Sequence, residues 1–269
     1  MLPARRRSEM ALFIQQNGGA DTDTLARHFG ISVMTARRDL KILEQENMLK
    51  LTWGGAVPLN FLPHEIPYAS KAATMLDAKK AIAAMAAEMV QDDSCIMLDA
   101  GTTTLELADA LRARFVTVIT PDLQIALLLA SSPTVTVHLT GGWVDPVSRS
   151  CNDQFAVDFL RGINVTQAFI GANAWDASRG ATTSSTAKMQ IKKQMMERAE
   201  QSILLADSSK FGAFSPWTVG SLADFSCIVS DEGLPRKARD AITAAGGFPR
   251  LAQLAPETKK AAAGRVEMP

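Results

Sequence analysis

Apolar positions at the start of the chain recur with helical spacing. In "RRRSEMALFIQQNG" Met10, Phe13 and Ile14 fall on one face, which predicts a helix ended by Gly18 and Gly19. "ADTDTLARHFG" predicts a second, short helix, opened by Asp21 or Thr22 as an acceptor for its free amides and closed by Gly30. Ile31 and Ser32 make a turn, and Ser32 is a good cap for a third helix running from Val33 to about Gln45. On that helix Val33, Ala36, Leu40 and Leu43 repeat toward a small core, leaving Met34, Thr35, Arg37, Arg38 and Lys41 on the other side. A short helix, a tight turn and a capped helix with a basic outer face form the helix-turn-helix arrangement. "LKLTWGGAV" then predicts a hairpin around Gly54 and Gly55, a wing.

The pattern changes at Pro58. Pro58, Pro63 and Pro67 forbid a continuous helix and predict an extended linker over residues 58–78. From Lys79 onward, strand-like runs alternate with helical stretches. The runs are Ser94–Asp99, Val116–Thr120, Val135–Thr140, Gln167–Ala172, Ser202–Asp207 and Ser226–Asp231. Such alternation predicts an α/β fold, a largely parallel, doubly wound sheet covered by helices. The expected organisation is a winged helix-turn-helix unit over 1–57, the linker, an α/β domain over 79–254, and a disordered tail over 255–269.

Composition narrows the classes. The chain has 269 residues, 47% hydrophobic and 21% charged, the balance of a globular protein. Its longest apolar run, Ile125–Ala130, is far short of the roughly 18 residues a membrane span needs. Polar residues interrupt the segment behind Arg5, Arg6 and Arg7 where a signal core would lie, so a cytoplasmic protein with no membrane partner is expected. Cys95, Cys151 and Cys227 are widely spaced with no CxxC pair, and His28, His64 and His138 are scattered, so neither a metal nor a cofactor is indicated. Net charge is zero overall, but residues 1–57 hold eight Lys/Arg against six Asp/Glu. Any grip on nucleic acid must therefore come from the placement of charge and not its bulk.

Placement is what the third helix offers. Arg37 and Arg38 lie in its first turns, where an arginine can bond a guanine edge bidentately, worth roughly 1–3 kcal/mol of discrimination. Ser32, Met34, Thr35 and Lys41 complete the candidate DNA-binding set, Lys41 and the helix start being suited to phosphates. Which arginine reads bases is left open by the spacing.

A second constellation lies at the carboxyl ends of the strand-like runs, where ligands bind in open parallel sheets. "LDAGTTTLELADAL" passes from a strand through Asp99 and Gly101 into a helix, with Thr102, Thr103 and Thr104 presenting hydroxyls and open amides to an anion. Other strand ends supply Thr120-Pro121-Asp122, Thr140-Gly141-Gly142, Gly171-Ala172-Asn173 and the Asp207, Ser209 and Lys210 of "ADSSKFG". Threonine, glycine and lysine suit phosphate, whereas Asp99 and Asp122 suit sugar hydroxyls. Neither glycine pattern is that of a dinucleotide or nucleoside-triphosphate site. Trp143 and Trp175 follow strand ends and are candidates for the rim of the same crevice.

With these residues in place, the chain resembles the DeoR family of bacterial transcription regulators over nearly its whole length. The family's "T-x-R-R-D-L" is met at Thr35–Leu40, its "G-G-A" wing at Gly54–Ala56, its "D-x-G-T-T-T" at Asp99–Thr104, and its Asp-x-Ser-Lys-Phe element within "ADSSKFG". The resemblance implies a sensor fold akin to sugar-phosphate isomerases, a phosphorylated sugar as effector, and repression of a carbohydrate operon. It carries ligand positions onto Asp99, Gly101, Thr102, Thr103, Asp122, Gly141, Lys192 and Lys210. This sequence departs from the pattern at Ala36 (usually isoleucine), at Leu51-Thr52-Trp53 in the wing, at Lys71 (usually arginine) and at Lys188, where a glutamate is common.

The expected function is a DNA-binding regulator of a carbohydrate-metabolism operon, working on double-stranded operator DNA and released by a phosphorylated sugar. A homo-oligomer, dimer or tetramer, is expected, because paired recognition helices match DNA half-sites. The alternative is a sugar-phosphate isomerase-like enzyme with an appended DNA-binding module, in which Asp99 would serve as base.

Overall fold

The computed structural model describes residues 2–254 except Gly18, Asn47, Leu59 and Asn60; the expected tail over 255–269 lies outside the described residues. Three helices and a small sheet come first: α1 (Pro3–Gln16), β1 (Ala20–Asp21), α2 (Thr22–Phe29), α3 (Val33–Gln45), β2 (Leu49–Leu51) and β3 (Gly55–Pro58). Asp21 caps α2 by accepting from the Thr24 amide, and Ser32 caps α3 by accepting from the Thr35 amide. Gly30 ends α2 at φ 61°, a left-handed turn that a side chain would disfavour. β2 and β3 form the wing hairpin, and β1 adds to it antiparallel through Ala20 opposite Ala56. Met10, Ile14, Leu25, Leu40, Leu43, Leu49 and Ala56 make this unit's core.

The segment after the wing is not simply extended. It holds a helix, α4 (Tyr68–Ala73), and Met75 in a left-handed conformation separates it from α5 (Leu76–Ala87). Proline at 67 blocks a helix from behind but is tolerated as the residue before α4's first turn, so the proline spacing did not forbid this one. The segment is strapped to the following domain: the Leu62 amide donates to the Phe214 carbonyl at 2.8 Å, and the Tyr68 amide to the Val147 carbonyl at 3.0 Å.

The second domain continues with β4 (Cys95–Leu98), α6 (Thr102–Ala110), β5 (Val116–Thr120), α7 (Leu123–Leu129) and β6 (Val135–Leu139). A hairpin follows, β7 (Val144–Asp145) and β8 (Ser150–Cys151), then α8 (Gln154–Arg161), β9 (Val165–Gly171), β10 (Ala174–Asp176) and β11 (Gly180–Thr183). The described residues continue with α9 (Thr186–Glu197), β12 (Ala199–Leu205), β13 (Trp217–Gly220), β14 (Cys227–Asp231), α10 (Arg236–Ala244) and β15 (Pro249–Ala252). Seven strands form one parallel sheet in the order β15-β14-β12-β9-β4-β5-β6.

Alternate side chains of the central strands enter opposite cores, which is why these runs are apolar throughout. Met97, Ala168, Ile170, Leu204 and Ile228 pack under α8, α9 and α10, while Ile96, Leu98, Phe169, Ile203 and Val229 pack under α5, α6 and α7. From β4 the chain moves outward through β5 and β6; from β9 it moves the other way through β12, β14 and β15. The sheet thus has its switch point between β4 and β9, where loops part and leave a crevice at the carboxyl ends. A smaller antiparallel sheet, β10-β11-β13, stands beside that crevice. Neither it, the short hairpin nor the edge strand β15 was expected from the sequence.

Candidate functional site

The outer face of α3 is open. Met34 is 73% exposed, and Arg37, Arg38 and Lys41 are exposed with no ion pair to any described residue. Ser32 and Thr35 sit at the helix start with their hydroxyls 2.9 Å apart. The six candidate DNA contacts therefore occupy one end and one side of a single helix, with the cationic heads free to meet phosphate or base edges. Asp39, next to Arg38, is only 1% exposed and turns inward, where Arg6 of α1 donates to it at 2.6 Å. The sequence reading overlooked that inward carboxylate, although it stands three residues after buried Ala36.

At the switch point, the Asp99 carboxylate ties the two central strands together. Its Oδ2 accepts from the Gly171 amide at 2.8 Å and from Lys192 Nζ, which also donates to the Gly171 carbonyl at 3.0 Å. Gly101 precedes α6, whose first turn, Thr102 to Thr104, is buried at the floor of a cavity. No side chain caps that helix, and its first residues line the cavity, the setting in which a helix start suits an anion. Lys210 lies across from it, its Nζ 3.4 Å from Asp207 Oδ2. Asp207 is buried, which would raise its pKa, but the charges of Lys210 and Lys79 outweigh that and hold it below the ordinary carboxylate value.

Asp99, Gly101, Thr102, Thr103, Thr104, Lys192 and Lys210 all line this cavity. Asp122, Gly141 and Gly142 are not among the described residues that line it. Asp122 is fully buried and consumed by structure: it accepts from the amides of Gln124, Ile125 and Gly101, capping α7 and steadying the loop before α6. Burial pushes its pKa up to about 6, against the pull of those three amides. Gly141 and Gly142 take φ of 78° and 99°, and a Cβ on Gly142 would fall 2.2 Å from Asp153 Oδ1, so the turn itself calls for glycine at these positions. Trp175 is likewise no rim residue. It is completely buried, its indole donating to the Asp207 carbonyl at 3.3 Å, and Trp143 stands 59% exposed outside the lining.

Pro121, Gly171, Ala172, Asn173, Asp207 and Ser209 from the strand ends line the cavity too, and other lining residues come from places the strand-end rule did not point to. Glu65 and Lys71 come from the linker, Lys79 from α5 and Lys188 from α9, one turn before Lys192. Lys79 is 2% exposed and donates to the carbonyls of Lys71 and Thr74; burial pulls its pKa down to about 8. Glu65 accepts from Lys71, Lys188, Asn173 and Ser184. Burial would raise its pKa, but the two ammonium groups outweigh burial and keep it well below the usual value. Ser8, Ala11 and Gln15 of α1 also line the cavity, and Gln15 donates to the Phe211 carbonyl beside Lys210. Lys71 and Lys188 were visible in the sequence only as departures from a pattern; Glu65, Lys79 and Gln15 carried no local signal.

Among the described residues no helix is long and apolar enough to cross a membrane. Asp99, the base of the isomerase alternative, has its Oδ2 engaged by Lys192 and the Gly171 amide.

Residues 74–232 match the DeoR C terminal sensor domain and residues 6–60 the DeoR-like helix-turn-helix domain. The chain is 36% identical over 243 residues to the Escherichia coli HTH-type transcriptional regulator YgbI, covering 90% of this chain and 95% of that one. It is 35% identical over 211 residues to the transcriptional repressor AccR of Agrobacterium fabrum, covering 78% and 82%. Among solved structures, ribose 5-phosphate isomerase A of Methanocaldococcus jannaschii aligns with a TM-score of 0.37 at 19% identity, over 51% of this chain and 54% of that one. An initiation factor eIF-2B of Pyrococcus horikoshii aligns at 0.45 and 14% identity, over 84% and 87%. Both superpositions are too loose to bear on what the chain does. The sequence matches carry the assignment: two domains in the right order and a relative spanning nine-tenths of the chain place this protein in the DeoR family of helix-turn-helix transcription regulators, a DNA-binding regulator and not an enzyme.

Proposed function

We propose that this chain is a cytoplasmic repressor of a carbohydrate-metabolism operon, released from its operator when a phosphorylated sugar fills the cavity at the sheet's switch point. In this reading residues 1–57 are the DNA-binding unit, 58–78 the strap and 79–254 the sensor. Ser32, Met34, Thr35, Arg37, Arg38 and Lys41 meet the duplex. The phosphate lodges on the α6 amides and Thr102 to Thr104, between Lys192 and Lys210, while the sugar extends past Asp99 into the rest of the cavity. A dimer or tetramer supplies paired recognition helices about 34 Å apart, one turn of DNA.

The observation that carries the reading is the shared wall. The cavity is floored by sensor strand ends and closed by the linker and by Ser8, Ala11 and Gln15 of the DNA-binding unit's own first helix. A ligand seated there touches both units, so its binding energy can favour one arrangement of the two. Moving such an equilibrium from 1:99 to 99:1 takes roughly 5.5 kcal/mol of differential binding.

The test is a gel-shift titration of the full chain on DNA from its own promoter region, run with a panel of sugar phosphates and parallel thermal unfolding. One member of the panel is expected to release DNA and, at about 100 times its dissociation constant, to add roughly 2.7 kcal/mol of stability. Release by none of them, with specific DNA binding intact, would reject the reading.

A further inference from the structure

The Glu65 carboxylate, from the linker, occupies a site built for an anion. Lys188 Nζ stands 2.8 Å from its Oε2, Asn173 Nδ2 donates to the same oxygen at 2.9 Å, and Lys71 and Ser184 complete the set. The Asn173 amide is held in that orientation because its Oδ1 accepts from the Thr183 hydroxyl at 3.0 Å. Four donors from the linker, the β9–β10 turn, the approach to α9 and α9 itself thus converge on one carboxylate, and three of them, Asn173, Ser184 and Lys188, belong to the sensor and not to the linker.

The cavity's charge is set by this group. Among the described residues its lining holds five lysines (Lys71, Lys79, Lys188, Lys192 and Lys210) against three carboxylates, Glu65, Asp99 and Asp207. With Glu65 seated, a phosphate monoester at about −2 balances the excess. With Glu65 withdrawn, the excess grows by one, which matches a ligand bearing both a phosphate and a carboxylate. The spacing agrees. Lys192 stands by Asp99 at the phosphate end and Lys188 stands by Glu65, four residues apart on α9 and so about 6 Å along its axis. A backbone of about four or five carbons spans such a gap.

We infer that Glu65 is the resident occupant of a second anion subsite, and that the effector is a phosphorylated sugar acid whose carboxylate displaces Glu65 from Lys188, Lys71, Asn173 and Ser184. This rests on the phosphorylated-sugar reading above and names its class. Displacement also removes the ion pair that joins this strap to the sensor through Lys188, leaving the backbone bonds of Leu62 and Tyr68 to hold it. Binding and loosening of the strap are then one event.

The experiment is calorimetric titration of the full-length protein with matched pairs, each an aldose phosphate and the aldonate phosphate of the same carbon skeleton, from four to six carbons. At least one aldonate phosphate is expected to bind tenfold or more tighter than its aldose partner. E65Q removes the internal competitor and widens that ratio severalfold; K188Q narrows it to within about twofold while aldose phosphate binding persists. Should E65Q fail to fold, the wild-type ratio and K188Q decide. Aldose phosphates binding as well as their aldonate partners would overturn the inference and leave the sugar-phosphate reading intact. Binding by no member of either series would overturn both.

Discussion

Arg6 of the first helix and Asp39 of the recognition helix form an ion pair, Nε to Oδ2 2.6 Å, with side chains 11% and 1% exposed. The pair ties α3 to α1, with Asp39 turned inward directly after Arg38 turns out. Asp39→Ala is expected to leave the Arg6 guanidinium without its partner at the edge of the core, costing the DNA-binding unit about 1–3 kcal/mol. Urea unfolding should show the loss, while effector binding by the sensor is unchanged. A variant as stable as the parent would mean the pair is incidental.

Arg37 and Arg38 are the exposed counterparts. Replacing both with alanine is expected to weaken specific operator binding at least a hundredfold, since each base-edge contact is worth roughly 1–3 kcal/mol. Removing phosphate contacts should also flatten the salt dependence. Circular dichroism and thermal unfolding should match the parent. Undiminished specific shift by the double variant would show that the duplex is held elsewhere.

Lys210 belongs to the proposed effector end of the switch. Lys210→Ala is expected to keep operator affinity but to need at least ten times more effector for release. Lys79 remains to balance buried Asp207 in that variant, so the fold should persist. Normal release would remove Lys210 from the site.

Asp122 gives a stability signature with a defined sign. Burial raises its folded pKa to about 6 from an ordinary 3.8. Between those values the folded state holds a proton the unfolded state has given up, so this group's contribution falls as pH rises from about 4 to 6 and is flat above. Asn at this position can still accept from the capped amides without a charge. The stability of the parent relative to Asp122→Asn should therefore rise as pH is lowered from 6 to 4, as read by urea midpoints. A constant difference across that window would contradict the account of Asp122 as a desolvated cap.

Much of the architecture was legible because its causes are local. Ser32, then apolar residues at helical spacing, then the run to Gln45 is a complete helix specification, and α3 spans Val33–Gln45 as expected. The six apolar runs became parallel strands, and the central ones are apolar throughout because a strand buried on both faces has few alternatives to continuous hydrophobicity. What lacked a local cause was missed. β15 is four residues, Pro249–Ala252, and takes its strand form from pairing with β14. Asp122 and the Gly141-Gly142 pair carry the residue types of a ligand site, yet they stand outside the cavity's lining, Asp122 accepting from three amides and the glycines making a turn.

The chain order alone determined that a basic-faced, capped helix precedes an alternating α/β domain with hydroxyl and glycine residues after its first strand; helix caps and burial patterns act over a few residues and can be read there. Only the folded chain decided what shares the cavity. Glu65 meets Ser184 across 119 residues, Asp99 meets Lys192 across 93, and Gln15 meets Phe211 across 196. Such encounters arise because the sheet reverses its order between β4 and β9 and the linker folds back over the gap, and no local rule of spacing encodes where a distant charge must settle to be neutralised.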